Sequence, residues 1–160
     1  MIRTEVLRSG ADLAYARMPS RNSVSVGFWI NAGGRHETEK NSGISHLLEH
    51  LLFKGSRAYS CVDIKEKIEG VGGSLNGFTS EECTCYYAKV PKRYLNLAFT
   101  ILGDMVFYPV LRSADIRKEK MVVLEEIKMV KDTPSHYVHE LRSALMWPNH
   151  PLGRSLAGTP

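Results

Sequence analysis

The first 31 residues contain short segments in which hydrophobic and polar residues alternate. The clearest segment has Val24, Val26, Phe28 and Ile30 on one face and Ser23, Ser25 and Gly27 on the other. Because successive side chains of a strand point to opposite faces, this pattern predicts a strand with one buried face. Upstream, residues 2–7 and 13–18 flank the loop Ser9-Gly10-Ala11-Asp12, which predicts an antiparallel hairpin.

The hydrophobic period lengthens after residue 43 to that of an α-helix. Hydrophobic side chains then follow the i, i+3, i+4, i+7, i+8 stripe of a helix packed on a core, which consists of Ile44, Leu47, Leu48, Leu51 and Leu52. Asn41 or Ser42 is expected to cap the start of this helix, and Gly55 its end.

A second helix is predicted to begin at Ser60 and to end at Gly70, with Asp63 as the partner of Ser60 in a capping box. The segment 74–90 that follows is rich in β-branched and aromatic residues. The polar Ser80-Glu81-Glu82 in its middle predicts a turn, so a second hairpin is expected there.

The remaining chain has helical periodicity in three segments after Pro91, which suits a helix start: 92–107, 114–131 and 135–147. Strands, two helices, a hairpin and more helices in this order predict an α+β fold, a mainly antiparallel sheet covered by helices. Residues 152–160 end without an element that could complete a domain, so we expect the chain to be truncated.

The composition, 43% hydrophobic and 24% charged residues in a chain of 160, is that of a soluble globular domain. Acidic and basic residues are interleaved despite the net charge of +4, so no nucleic acid partner is expected. The three cysteines are too few for a disulfide framework and are expected to be reduced. No apolar run could cross a bilayer and no export signal is visible, so no membrane association is expected.

The segment His46-Leu47-Leu48-Glu49-His50 lies in the first predicted helix, with its polar residues beside the apolar stripe. Residues four apart on a helix lie one above the other, so both imidazoles could bind one Zn²⁺ at about 2.0 to 2.1 Å. Glu49 would then border the metal without binding it, as a general base does. The other histidines lack such a context and are expected to lie at the surface or to form hydrogen bonds: His36, His136, His139 and His150.

A catalytic zinc usually has three protein ligands and one open position, so a third donor is required from elsewhere in the chain. The predicted helix 114–131 offers Glu119, Glu125 and Glu126. Glu119 and Glu126 are seven residues apart and share a face, whereas Glu125 points roughly 100° away from Glu126. The helix periodicity leaves Glu125 and Glu126 as competing choices for the third ligand.

The pattern His46-x-x-Glu49-His50 is the inverted zinc motif of the inverzincins. In this respect the chain resembles the M16 metallopeptidases, the group of insulysin, pitrilysin and mitochondrial processing peptidase, and especially bacterial processing-peptidase-like members. The likeness continues in four further segments: Gly43-Ile44-Ser45, Leu52-Phe53-Lys54-Gly55, residues 75–82 and Tyr86-Tyr87-Ala88. It implies that residues 1–160 are the N-terminal part of an M16 half-domain (LuxS/MPP-like) that carries the zinc site, without the C-terminal part of the enzyme.

The resemblance also implies roles for individual residues. Glu126, which follows His50 by 76 residues, corresponds to the third zinc ligand. Glu119 corresponds to a carboxylate of the catalytic machinery that orients a histidine. Asn76, Gly77 and Phe78 are implied to line the edge strand to which an extended substrate peptide adds.

The predicted function is that of a zinc metalloendopeptidase with one Zn²⁺, with Glu49 as general base and with extended peptides or presequence-like segments as substrates. The alternative is a catalytically silent or incomplete subunit of the same fold, which the family also contains. The resemblance implies a second M16 half or subunit, in cis or in trans, as partner in a homo- or heterodimer, so the isolated fragment could bind zinc without cleaving peptides. The expected location is cytoplasmic, with the bacterial cytosol favoured over the mitochondrial matrix.

Overall fold

A computed structural model describes residues 2–159, and its elements follow the predicted order. The strands are β1 (Ile2–Val6), β2 (Asp12–Ala16), β3 (Ser23–Ile30), β4 (Ser74–Thr79) and β5 (Thr84–Pro91). The helices are α1 (Ile44–Leu52), α2 (Cys61–Glu69), α3 (Leu95–Phe107), α4 (Ser113–Lys131) and α5 (Pro134–Met146). Short 3-10 turns lie at Gly34–His36, Glu39–Asn41, Lys92–Tyr94 and Pro151–Gly153. The predicted α+β class is confirmed.

All of the strand pairs in these residues are antiparallel. Strands β1 and β2 form the predicted N-terminal hairpin, with Ile2 opposite Ala16. The other three strands form a sheet in the order β3-β5-β4, in which Phe28 of β3 and Gly77 of β4 both lie opposite Tyr86 of the central strand. Strand β4 is therefore an edge strand of this sheet.

The hydrophobic core lies between one face of the three-stranded sheet and helices α2 and α3. Alternate residues of β5, namely Tyr86, Ala88 and Val90, are only 0–1% exposed and point into this core. They pack with buried residues of α1, α2 and α3: Leu52, Ile64, Ile68, Ala98, Ile101, Leu102 and Met105. Burial of each large aliphatic side chain contributes about 1.5–3 kcal/mol, so this core anchors the sheet beside which α1 lies.

The start of α1 differs from the prediction that Asn41 or Ser42 caps it. Its N-cap is Gly43, with φ +87°, and a Cβ there would lie 2.5 Å from the Ala157 carbonyl oxygen. The carboxylate of Glu37 accepts hydrogen bonds from the amides of Gly43 at 2.6 Å and Ser45 at 2.8 Å. An acidic side chain from outside the helix thus supplies the acceptor that Asn41 or Ser42 was expected to supply, because Gly43 alone suits the left-handed turn.

The end of α1 also comes earlier than predicted. The helix ends at Leu52 with Phe53 as its C-cap, so Gly55, with φ +135°, belongs to the turn that follows. The second predicted helix is confirmed, since Ser60 and Asp63 form the capping box reciprocally and Gly70 is the C-cap.

The three C-terminal helices are confirmed, except that the first turn predicted for α3 is the 3-10 turn Lys92–Tyr94. The face of β3 that was predicted to be buried is half-buried, and its hydrophobic residues pack against the core. Within residues 2–159, none of the helices combines the length and the hydropathy that a membrane crossing requires.

Candidate metal centre and catalytic site

Helix α1 places His46 and His50 one turn apart on the side that faces α4. The centroids of their rings lie 4.8 Å apart, and the rings are inclined at 73°. Leu51 and Leu52, on the opposite side of the helix, are buried. The amphipathic pattern of α1 therefore orients the imidazoles, because burial of the leucines turns the polar side away from the core.

Helix α4 brings the side chain of Glu126 to the same place. Its Oε2 atom lies 3.6 Å from Nε2 of His46 and 3.5 Å from Nε2 of His50. One ligand atom from each of these three residues lies within 4.8 Å of the other two. Donors bound to zinc at about 2.0–2.1 Å in a tetrahedron are separated by roughly 3.3 Å, so this donor set fits one Zn²⁺ ion.

Glu125, the competing choice for the third ligand, lies away from the imidazoles. Its Oε1 atom accepts a hydrogen bond from Nζ of Lys128 at 2.7 Å, and its side chain is 65% exposed. The two adjacent glutamates differ in this way because consecutive residues of a helix point about 100° apart. The crossing of α1 and α4 thus brings Glu126, rather than Glu125, close to both rings.

Glu119 lies two turns before Glu126 on the same side of α4. Its Oε2 atom is 3.3 Å from Nδ1 of His50, and its Oε1 atom is 2.8 Å from Nζ of Lys54. Glu119 is only 7% exposed, which is unusual for a carboxylate. The structure therefore places Glu119 beside a histidine, where the family resemblance implied it, and Lys54 is a further contact that no local pattern indicated.

Glu49 lies on α1 next to His50, and its side chain forms a hydrogen bond with a residue of the sheet. The hydroxyl of Thr79, the last residue of β4, donates a hydrogen bond to Oε2 of Glu49 at 2.6 Å. Sequence reasoning missed this contact. The alternation of β4 could have suggested it, since Thr79 shares the helix-facing side of the strand with Leu75 and Gly77.

The local environment affects the pKa values of two groups near the site. Burial, and then repulsion by His50, lower the pKa of His46 below its ordinary value of 6.5, which favours the neutral imidazole that binds metals. Nδ1 of His46 is buried and has no hydrogen-bond partner within residues 2–159. Burial, and then the charge of Glu49, raise the pKa of Tyr86, so its phenol stays neutral.

The predicted substrate-binding residues lie on the edge strand β4. Gly77 faces the helices, where a Cβ would meet the ring of Phe53 at 3.2 Å. Asn76 and Phe78 face the other side of the sheet, and the Phe78 ring packs against that of Trp29 at 5.4 Å. The amide of Gly77 donates to the side-chain oxygen of Asn76 at 2.9 Å rather than to a further strand.

The remaining histidines have the roles expected for them. Nδ1 of His36 accepts a hydrogen bond from the amide of Gly33 at 3.2 Å, and Nδ1 of His150 accepts one from the amide of Leu152 at 3.2 Å. His136 and His139 are exposed on α5. Among the described residues, none of these four histidines belongs to the group formed by His46, His50 and Glu126.

Residues 13–160 match the profile of the family described as Insulinase (Peptidase family M16). The chain belongs to peptidase family M16. It is 43% identical over 159 residues to the uncharacterized zinc protease YmxG of Bacillus subtilis, a match that covers 99% of this chain and 39% of that protein. It is 40% identical over 146 residues to the mitochondrial-processing peptidase subunit beta of the mouse, with 89% of this chain and 30% of that subunit covered.

The crystal structure of a protease from Helicobacter pylori has the same fold, with a TM-score of 0.90 at 22% sequence identity. The match covers 99% of this chain and 38% of that one. The M16 fold predicted from the resemblance is therefore confirmed. The chain spans between one third and two fifths of the length of the first curated relatives it matches.

Proposed function

We propose that this M16 chain carries the zinc site of a metalloendopeptidase that hydrolyses peptide bonds in extended peptides or presequence-like segments. The observation that carries this proposal is the convergence of two imidazole nitrogens and one carboxylate oxygen, from His46, His50 and Glu126, at the helix that also carries Glu49. The names of the bacterial relatives as zinc proteases, and of the mouse relative as a processing peptidase subunit, support it.

His46, His50 and Glu126 would hold the metal, with Glu119 orienting His50 through its Nδ1 atom. Zinc, when bound there, would supply a Lewis acid for the scissile carbonyl and lower the pKa of a water molecule towards neutrality. The side chains of His46 and His50 are 19% and 18% exposed, so both are partly open to solvent. Three protein donors would be the number that a catalytic zinc usually takes from its protein.

Glu49 would handle the protons of the reaction. Its carboxylate accepts a proton from the attacking water and then gives a proton to the leaving amine. The Thr79 hydroxyl, at 2.6 Å from Oε2 of Glu49, restricts the rotation of this carboxylate. Such restriction keeps the base beside the metal ligands, where a proton transfer in the transition state requires it.

The substrate would bind as an additional strand along β4. This strand forms one edge of the sheet β3-β5-β4, and its last residue contacts the proposed base. Main-chain hydrogen bonds to Asn76, Gly77 and Phe78 would recognise an extended peptide without regard to most side chains. An extended backbone is required for such pairing, so folded segments are expected to be poor substrates.

A second M16 half or subunit, in cis or in trans, is proposed as the partner that completes the enzyme. This chain matches only 39% of the B. subtilis relative, and the mouse relative is named as a subunit. We also propose that residues 1–160 form the zinc-carrying N-terminal part of one M16 domain. A silent subunit is the alternative function, which the retained ligands and base disfavour, because a scaffold does not require both.

The test measures zinc content and cleavage of a quenched fluorescent peptide with the full-length protein. Glu49→Gln is expected to retain zinc and to lower turnover by about 10²- to 10⁴-fold or more, since it removes the general base. Glu126→Gln is expected to lose zinc and activity together. Glu125→Gln is the matched control, because its side chain lies on the same helix and pairs with Lys128 at the surface.

Zinc that survives in Glu126→Gln and is lost in Glu125→Gln would reassign the third ligand. Wild-type protein that binds zinc but cleaves none of a varied set of peptides, alone or with its partner half, would favour the silent subunit. Equal turnover by wild type and Glu49→Gln would contradict the role of the base.

A further inference from the structure

Lys54 lies just beyond α1 on the same side as the two histidines. His46, His50 and Lys54 are spaced four residues apart, and Phe53 continues the helical conformation with φ −75° and ψ −11°. Residues at this spacing lie one above the other on a helix. Two glutamates of α4, seven residues apart, face this row: Glu126 lies opposite the histidine pair, and Glu119 lies opposite the pair formed by His50 and Lys54.

Glu119 divides its two carboxylate oxygens between these partners. Oε1 lies 2.8 Å from the Lys54 ammonium, and Oε2 lies 3.3 Å from Nδ1 of His50. The terminal torsion of a glutamate is broad and prefers no single orientation. A strong contact at one oxygen therefore determines where the other oxygen points.

Glu119 is 7% exposed, and its charge has to be compensated locally. The Lys54 ammonium, which is partly open to solvent, is the cation in contact with it in the structure. Removal of one partner of a buried pair leaves an uncompensated charge, and a carboxylate in that position turns towards water. That rotation would remove the acceptor that faces His50.

From these contacts we propose that Lys54 is a positioning residue of the metal centre. It holds the Glu119 carboxylate against Nδ1 of His50, so that this nitrogen carries the proton and Nε2 keeps its lone pair for the metal. Nε2 of His50 is the atom that lies 3.5 Å from Oε2 of Glu126. The inference rests on the proposed zinc site and adds a residue to its support.

The backbone around Lys54 is held firmly enough for this role. The Lys54 amide donates to the Leu51 carbonyl at 3.0 Å. The next residue, Gly55, accepts a hydrogen bond from the amide of Val110 at 3.1 Å, and its neighbour Ser56 pairs with Pro109. The turn after α1 is thus attached to the segment before α4. This attachment keeps Lys54 and Glu119 opposite each other.

A matched control pair lies on α4 itself. Lys128 and Glu125 form an ion pair at 2.7 Å, nearly the same length as the pair of Lys54 and Glu119. Both side chains of the control pair are about two-thirds exposed, and neither contacts a histidine in the structure. Loss of the Lys128 ammonium therefore removes a charge and an ion pair of the same chemistry without affecting the metal ligands.

The experiment measures zinc affinity of the full-length protein by competition with a fluorescent chelator. Lys54→Met is expected to weaken zinc binding by roughly 10-fold, at the lower end of the 10- to 100-fold range for partners of metal-ligating histidines. Lys54→Arg, which keeps the cation, is expected to restore affinity to near that of the wild type. Lys128→Met is expected to leave it unchanged.

The double variant Lys54→Met/Glu119→Gln separates positioning from a general effect on the fold. It is expected to bind zinc as weakly as Glu119→Gln alone, because the lysine acts only through that carboxylate. An equal loss in both backgrounds would overturn the proposal, as would a Lys54→Met variant that matches Lys128→Met. If Lys54→Met does not fold, a folded double variant supports the proposal and an unfolded one refutes it. Wild-type protein that binds no zinc would overturn the proposed function together with this inference.

Discussion

Replacement of Glu37 by Gln is expected to loosen the first turn of α1, the helix that carries both histidines and Glu49. Glu37 is buried, and its two carboxylate oxygens accept hydrogen bonds from the amides of Gly43 and Ser45. Gln has nearly the same shape but offers one oxygen and one NH₂ group. One of the two amides would then face a donor instead of an acceptor.

The magnitude follows from these contacts. Loss of one hydrogen bond to a charged group costs about 1.5–3 kcal/mol. Loss of the negative charge at a helix N-terminus costs about 0.3–1 kcal/mol more. The expected total of about 2–4 kcal/mol corresponds to roughly a 30- to 700-fold change in the local opening equilibrium, at 1.4 kcal/mol for each factor of ten.

Hydrogen exchange followed by mass spectrometry of the full-length protein can measure this change in peptides that cover α1. Glu39→Gln is the control. This substitution removes the same charge two residues from Glu37, at an exposed side chain. We expect faster exchange in α1 of Glu37→Gln and unchanged exchange in α3, which packs in the core. Exchange in α1 within about threefold of that of Glu39→Gln would refute the capping role of Glu37.

Two further predictions concern the proposed general base, Glu49, and the cysteine thiols. Thr79→Val keeps the side-chain shape but removes the hydrogen bond to Glu49, so kcat is expected to fall by about 10- to 100-fold with zinc content unchanged. Thr79→Ser should recover most of the activity, and wild-type kcat in the valine variant would contradict this role. Alkylation at pH 8, mapped by mass spectrometry, is expected to label exposed Cys61 first and to spare Cys85, since burial and then Cys83 raise the pKa of Cys85 to about 11. Rapid labelling of native Cys85 would show that its strand is more open than the structure indicates.

Most of the elements could be predicted from the sequence because the hydrophobic period of each element, and the capping and turn residues that bound it, are local features. The capping box of Ser60 and Asp63 spans four residues, so both of its hydrogen bonds are determined within one turn. The cap of α1 could not be predicted in this way. Glu37 is six residues from Gly43, and the space that only a glycine leaves at position 43 is occupied by Ala157, which is distant in the sequence.

The features of the site can likewise be separated into those set by local sequence and those set by the tertiary structure. The spacing of His46, Glu49 and His50 alone determined that two imidazoles share one side of a helix with a carboxylate beside them, because helical geometry relates residues four apart. The approach of Glu126, rather than Glu125, to both rings and the contacts of Lys54 and Thr79 were decided by the crossing of α1 with α4 and by the register of β4. Those contacts join residues 30 or more positions apart, and their distances depend on how the core packs rather than on any local pattern.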